Sequence, residues 1–528
     1  MRRLIVLATC MLMGLAAGPS SQPAQSPAHD RSGASAAFTT HDPLVLRARQ
    51  LADEGKFFEA RAILTQKDAS GDGREPATRD RAPRSGHDLA AKDRAANDPR
   101  DPRAREEMLD ILDRTRAQYA LDGPALLARL RESIPDASAA DLERWRASGE
   151  AQYRMIDGQV RFFSREPANI FRFCDEAIRQ RKPPAPPAAG WTLVDHLARV
   201  VSEAKRTGQT QVVPIRHRVR YSLTVPADAP GLKPGALVRI WLPFPQEYSR
   251  QRDVKLISSN PHPALIAPPA RGEPLTVAPQ RTAYFERRVG AKQEPMVFEE
   301  AFEFTTWAFY PDLDDARAKP LPPIWGDREL AERLPHIVFS PEMKATAAKI
   351  VGDETNPLRK ARKIFNFVAT NISYWAEEEY GTIPSLSAKA LRTGRGDCGV
   401  QTMLFITLCR CAGIPARWQT GWETKRVGFD MHDWCEFYVE PWGWLPADPS
   451  YGLQKSGDPA IRDFYFGHQD SYRMIVNVDY GRQLHPPKGS LRSEPLDFQR
   501  GEVEIDGKNL YFGNWDYDMN LEWLDPGP

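Results

Sequence analysis

Cys398, His432 and Asp448 are the residues of this chain whose types and spacing could carry covalent chemistry. A thiol attacks an amide carbonyl when a nearby imidazole takes its proton. The imidazole works best when a carboxylate orients it and balances the imidazolium. Cys398 stands in "TGRGDCGVQTMLFITLCRCAGIPARW", between Asp397 and Gly399 and directly before an apolar segment. Asp397 suits the N-cap of a helix that runs to about Ala412, where Gly413 and Pro415 stop it. Cys398 then takes the first helical position, and the positive end of the helix dipole there favours thiolate. Gly394 and Gly396 let a carbonyl approach the sulfur closely.

His432 opens a run with strand character, "HDWCEFYVE", and "EPWGW" follows as a hairpin turn centred near Pro441. In that register Asp448 falls opposite about Trp434, diagonal to His432 on one face, and diagonal neighbours lie about 7–8 Å apart. Sulfur, ring nitrogen and carboxylate are thereby expected to form one hydrogen-bonded line. Trp434 and Glu436 share the His432 face and are expected to line the site, whereas Cys435 alternates away into packing.

The elements that must position these residues follow from the pattern along the chain. The stretch 43–66 reads as a helical hairpin, and 67–105, dense in charge, Gly and Pro and without aromatics, reads as a disordered linker. A helical region spans 106–208, with Ser138 and Asp141 as start signals and "PPAPPAAG" (183–190) as a stiff break. Alternating short strands between Pro/Gly turns then indicate a β-sandwich-like domain over 209–320. His217 is read there as a surface strand residue. A second globular unit, 335–455, holds helices, the Cys398 segment and the His432–Asp448 strands. Residues 456–528 form a β-rich extension expected to pack back onto it.

The N-terminus, "MRRLIVLATCMLMGLAAGPSS", has the basic start, short apolar run and small residues of a cleaved signal peptide over residues 1–18. The run from Leu4 to Ala17 falls short of the roughly 20 residues a transmembrane helix needs. The chain is therefore expected to be exported, periplasmic or extracellular, with no transmembrane anchor. A net charge of +1, from 71 basic and 70 acidic residues, offers no basic field for nucleic acid. Without Cys10, five cysteines remain (Cys174, Cys398, Cys409, Cys411 and Cys435), with no CxxC pair. An odd count leaves at least one free thiol, and neither a disulfide framework nor a zinc site is expected. No cofactor is expected.

Taken in order, Gly396-Asp397-Cys398-Gly399, "AGIPAR" (Ala412 to Arg417), His432-x-Trp434-x-Glu436 and Trp444 before Asp448-Pro449-Ser450 resemble the transglutaminase-like core. That core is shared by animal transglutaminases, peptide N-glycanases and many bacterial exported proteins. The resemblance covers Pro335 to Gly452 and implies an α+β, papain/transglutaminase-like fold, with the cysteine helix packed on an antiparallel sheet. It implies Cys398 as nucleophile, His432 as general base and then acid, and Asp448 as the group that orients the ring. Oxyanion stabilisation would come from the Cys398 backbone N–H and a side chain upstream; animal transglutaminases use a tryptophan, and "ISYWAEE" offers Tyr374 and Trp375. Gly399 replaces the tryptophan that follows the animal cysteine, and no calcium loop is visible, so calcium activation does not transfer.

The chemistry expected is thiol-mediated acyl transfer on a protein or peptide, including cell-wall peptide. Water on the acyl-enzyme gives peptidase or amidase hydrolysis, which export favours; an amine gives glutamine cross-linking. A binding or scaffold module on the same fold is the reading from another class. A metal-dependent hydrolase ranks behind both, because no cluster has ligand spacing.

Overall fold

The computed structural model describes residues 35–66, 101–182, 190–270, 278–322, 329–427 and 429–524. The signal peptide expected over 1–18, residues 67–100 of the expected linker and the Pro-rich stretch 183–189 lie outside the described residues. No helix among the described residues is long and apolar enough to cross a membrane.

The early helices begin where a side chain takes up free backbone N–H groups. Asp42 accepts from Leu44 and Val45 at the start of α1 (Pro43–Asp53), with Pro43 in the first turn. After α2 (Phe57–Thr65), Asp101 caps α3 (Pro102–Gln118), so a helix begins inside the stretch read as linker up to 105. An Asp-Pro pair serves as a cap and first turn as well as it serves a loop. Next come α4 (Gly123–Arg131) and α5 (Ala139–Ala147), the latter started by a Ser138–Asp141 capping box. The hairpin β1 (Tyr153–Ile156) and β2 (Gln159–Phe162) follows, then α6 (Glu166–Phe173) and α7 (Asp175–Gln180). Leu51, Met108 and Leu112 centre one apolar cluster of this helical layer, and Leu130, Trp145 and Ile170 a second.

From α8 (Leu193–Thr207) the chain enters two antiparallel sheets: β3 (Gln211–Val225), β4 (Leu237–Pro243), β5 (Gln251–Asn260), β6 (Leu265–Ile266), β7 (Thr282–Arg288) and β8 (Met296–Phe309). His217 of β3 is fully buried rather than at the surface. Its ring stacks on Phe304 at 4.8 Å, and Nε2 meets Thr306 Oγ1 at 2.9 Å. Burial in an apolar sheet interface pushes its imidazole down to about 3.

The unit that carries Cys398 comprises α9 (Pro341–Val351), α10 (Pro357–Asn371), β9 (Ser373–Tyr374), α11 (Leu386–Thr393), β10 (Arg395–Gly396), α12 (Cys398–Cys411), β11 (Ala416–Glu423), β12 (Asp430–Val439) and β13 (Gly443–Ala447). The tail then divides. Its strand β14 (Arg473–Asn477) completes an antiparallel sheet of order β13-β12-β11-β14. The strands β15 (Glu502–Ile505) and β16 (Lys508–Leu510) extend the sheet of β4, and β17 (Asp516–Trp523) runs along β3 from Asp516 opposite Thr224 to Trp523 opposite His217. The tail thus packs back onto the Cys398 unit through β14 and Phe464 to Phe466, as expected, while its last three strands close the sandwich. Alternation marks a strand but does not name its partner.

One face of the β11–β14 sheet packs on α12, through Ala416, Trp418, Cys435 and Phe437. Further along the same face Trp422 and Met474 join the sandwich core with Phe302 and Tyr221, and on the opposite face Trp434 and Ile475 pack with Ala270 and Tyr248. A sheet covered on both sides shows little polar/apolar alternation, and all eight residues of β11 are buried. At Gly421 an added Cβ would lie 1.9 Å from the Met474 carbonyl oxygen, so only glycine admits the pairing of β11 with β14 there.

Candidate active site

Cys398 opens α12, and Asp397 is its N-cap, accepting the Val400 N–H at 3.2 Å. Every residue from Cys398 to Arg410 is buried, as expected of a helix surrounded by packing. Each fully buried Leu, Ile or Phe along it contributes about 1.5–3 kcal/mol, so the helix start is held in place by the core behind it. Ahead of Cys398, the two-residue β10 pairs in parallel with β9, placing Gly396 opposite Tyr374.

His432 lies on β12, one strand over from the hairpin partner that leads into Asp448. Cys435 pairs with Ala447, which brings Asp448 to the level of Trp434. The Nε2 atom of His432 lies 2.7 Å from Asp448 Oδ2, and Trp434 stacks on the ring at 5.9 Å. Asp448 is held in turn by Arg473 Nη1 at 2.6 Å, by Ser450 Oγ at 2.8 Å and by the Tyr451 N–H at 3.1 Å. Burial alone would raise the Asp448 carboxyl, but the charges of His432 and Arg473 outweigh it and hold Asp448 well below the usual carboxylate range. Burial likewise opposes the imidazolium, yet Asp448 and Glu423, the latter 3.6 Å from Nε2, raise the His432 pKa.

The thiol departs from the single line expected of the three residues. Among the described residues its hydrogen-bond partner is Asp433 Oδ2, at 3.6 Å, and not His432. Nor does the helix start make it a thiolate at rest. Burial pushes the Cys398 thiol well above its ordinary pKa, and the charges of Asp433 and Asp397 push the same way. The Nδ1 atom of His432 makes no hydrogen bond among the described residues, so the ring keeps one nitrogen available while Asp448 holds the other.

The remaining candidates separate. Trp375 is buried, donates its indole N–H to Gln152 Oε1 at 3.0 Å and packs on Phe173 at 4.9 Å, so it faces the helical layer. Tyr374 is 40% exposed, and the charge of Cys398, then burial, raises its phenol. Glu436 does not line the site. It is buried against Arg250 (2.7 Å), Arg417 (2.9 Å) and the Tyr248 hydroxyl (2.7 Å), joining β12 to the sandwich. Alternation placed it on the His432 face correctly, but four residues of strand carry it about 13 Å away. Cys435 donates to the Ala447 carbonyl oxygen at 3.3 Å, away from the histidine.

A groove of about 410 Å³ borders the site, lined by Arg172, Phe173, Ser373, Tyr374, Gln401 and Ser450. One wall comes from α6 of the helical layer. A hollow of about 450 Å³ by Tyr248 and Arg252 holds none of the nucleophilic candidates.

Sequence reasoning missed Tyr380, Asp433, Arg473 and Gln499. Tyr380 accepts the Gly399 N–H at 3.0 Å and contacts both Asp397 and Asp433; Gln499 donates to Asp433 Oδ1 at 3.2 Å. A Cβ on Gly399 would lie 2.2 Å from the Tyr380 oxygen, which explains the glycine after the cysteine. Two signals were present: an acid within a buried strand at 433, and an arginine opening the apolar run "RMIVNV".

The transglutaminase-like superfamily model matches residues 344–449. An uncharacterised protein of Haemophilus influenzae is 30% identical over 218 residues, covering 35% of this chain and 59% of that one. The uncharacterised YebA of Bacillus subtilis is 27% identical over 144 residues, covering 24% and 19%. The chain thus spans less than two thirds of either relative. Among solved structures, a Cytophaga hutchinsonii protein provisionally named a cysteine protease aligns over 60% of this chain and 93% of its own, at 16% identity and a TM-score of 0.39. The periplasmic domain of TgpA from Pseudomonas aeruginosa aligns over 50% and 95%, at 16% identity and a TM-score of 0.25. With Cys398, His432 and Asp448 all inside the matched stretch, this chain carries a transglutaminase-like superfamily domain at residues 344–449.

Proposed function

We propose that this protein is an exported thiol hydrolase that cleaves amide bonds in proteins or peptides, cell-wall peptide included, through an acyl-enzyme on Cys398. The observation that carries the reading is the 2.7 Å bond between His432 Nε2 and Asp448, which leaves Nδ1 of the same ring available to the thiol. In this mechanism the Cys398 proton passes to Nδ1 as the sulfur attacks the carbonyl carbon. Asp448, kept ionised by Arg473, stabilises the imidazolium. The backbone N–H of Cys398 has no hydrogen-bond partner among the described residues and can meet the oxyanion, with Tyr374 as the side-chain donor. His432 then gives its proton to the departing amine, and water entering from the groove releases the acyl group.

The test is turnover of peptide and cell-wall amides by wild type and Cys398→Ala, with a fluorescent amine and a glutamine-bearing protein in parallel. The expected result is hydrolysis that falls at least about a thousandfold in Cys398→Ala, in line with loss of a nucleophile. Unchanged hydrolysis in that variant would end the assignment. Amine incorporation without hydrolysis would turn the enzyme into a cross-linker. One observation favours a second reading, a surface binding module: the thiol is buried, protonated at rest and bonded to Asp433. Cys398 that stays unlabelled by iodoacetamide near neutral pH would support that module.

A further inference from the structure

The hydroxyl of Tyr380 stands between two buried carboxyl groups. Its oxygen lies 2.8 Å from Asp397 Oδ1 and 3.0 Å from Asp433 Oδ2, while it accepts the Gly399 N–H at 3.0 Å. A phenol has one proton to give. It can satisfy one carboxylate, and the second contact is a hydrogen bond only when that carboxyl brings a proton of its own. Asp397 takes a backbone N–H at the positive end of α12, the setting of an ionised cap. Among the described residues no cation bonds Asp433: its partners are Tyr380, the Thr420 hydroxyl, the Gln499 amide at 3.2 Å and the Cys398 sulfur at 3.6 Å. The shared proton therefore belongs on Asp433, on the oxygen that touches both Tyr380 and the sulfur.

We propose that Asp433 is a further catalytic residue, a neutral carboxylic acid that keeps its proton and donates a hydrogen bond to the Cys398 thiolate. In the resting state the acid proton points to Tyr380, and the thiol keeps its own. On activation the S–H bond breaks, its proton moves to His432 Nδ1, and the electron pair stays on sulfur. The Asp433 O–H then turns from Tyr380 to the sulfur without transferring. Burial and then the Asp397 charge, against the relief of the Thr420 hydrogen bond, His432 and Tyr380, lift Asp433 to about 7, consistent with that neutral form. Across from it, Asp497 is also raised, by burial and Glu494, with Arg500 opposing. An ionised Asp433 would face the thiolate charge to charge and suppress it.

This rests on Cys398 as the nucleophile, and the readout separates the two ideas. The rate of iodoacetamide alkylation at Cys398, followed by mass spectrometry of its peptide, is measured against pH for wild type, Asp433→Asn and Asp433→Ala. Asn is isosteric, donates a hydrogen bond and cannot ionise. Near pH 6, where the acid holds its proton, wild type and Asn are expected to be alkylated at similar rates and Ala at least about tenfold more slowly, and above about pH 7 wild type is expected to fall behind Asn as its acid ionises. Cys398 inert in all three forms would overturn the nucleophile. Cys398 reactive with one rate profile throughout, or with Asn slower than wild type, would overturn only the role of Asp433. Wild-type protein carrying carbon-13 aspartate gives a check that needs no variant: one carboxyl resonance is expected to titrate near neutral pH, and its absence would also overturn the proposal.

Discussion

Two carboxylates on β12, three residues apart, are both buried, and the chain treats them in opposite ways. Glu436 is met by two arginines and a tyrosine hydroxyl. Burial pulls its pKa upward, but Arg417 and Arg250 outweigh it, and the group stays ionised. Asp433 is met by two hydroxyls, an amide and a thiol, and burial lifts it to about 7. Equal burial thus yields a fixed ion pair in one place and a titratable group in the other. The difference lies wholly in the partners.

The sharpest way to break this contrast is to neutralise each acid and compare. Glu436→Gln strands two buried guanidinium groups and is expected to cost about 3–5 kcal/mol in urea unfolding, whereas Asp433→Asn is expected to cost less than about 1 kcal/mol. Equal losses would refute it. Arg473→Met extends the comparison to Asp448, with an expected loss of about 3 kcal/mol. Because Asp448 is depressed in the folded state, its contribution is present above the unfolded carboxyl pKa and disappears as pH falls through the folded one. The acid limb of the stability curve should therefore flatten in Arg473→Met. Gly399→Ala pushes Tyr380 off both acids and is expected to cost roughly 1–3 kcal/mol by overpacking, together with slower Cys398 alkylation. The smallest effect belongs to Glu300, a buried carboxyl of β8 with no hydrogen bond at either oxygen among the described residues, raised by burial alone. The folded chain holds its proton while the unfolded chain releases it, so stability falls as pH rises above the ordinary glutamate range. Glu300→Gln should remove that slope and gain about 1 kcal/mol near pH 8.

Much of the positioning machinery could be read from residue patterns. Asp397 and Gly413 bracket α12, and alternation marks β3 and β8 because each has one face more buried than the other. The strand β11, "ARWQTGWE", escaped notice because both its faces are covered and no alternation survives. The pairing of β17 with β3 was illegible because it joins positions about 300 residues apart, a choice settled by packing rather than by local pattern. At the candidate site, His432 and Asp448 were readable through the hairpin turn. Tyr380 and Asp433 were not, since their meeting depends on a loop held from outside the matched domain. Asn169 brackets the backbone of Ala376, Arg154 and Tyr119 bind Glu378, and Gln118 accepts the Glu379 N–H.

The division of the tail bears on how the protein is made. Strands β15 to β17 leave the ribosome after every other described strand and helix, yet they complete the sheets begun by β3 and β4 some 280 residues earlier. Until residues 502–523 arrive, β3 keeps a bare edge, and the sandwich that backs β11 and β14 stays open. Gln499, which anchors Asp433, sits in the same late segment. A nascent chain therefore carries its cysteine before the surroundings that govern it exist, so maturation of the thiol waits until residues 499–523 have been made.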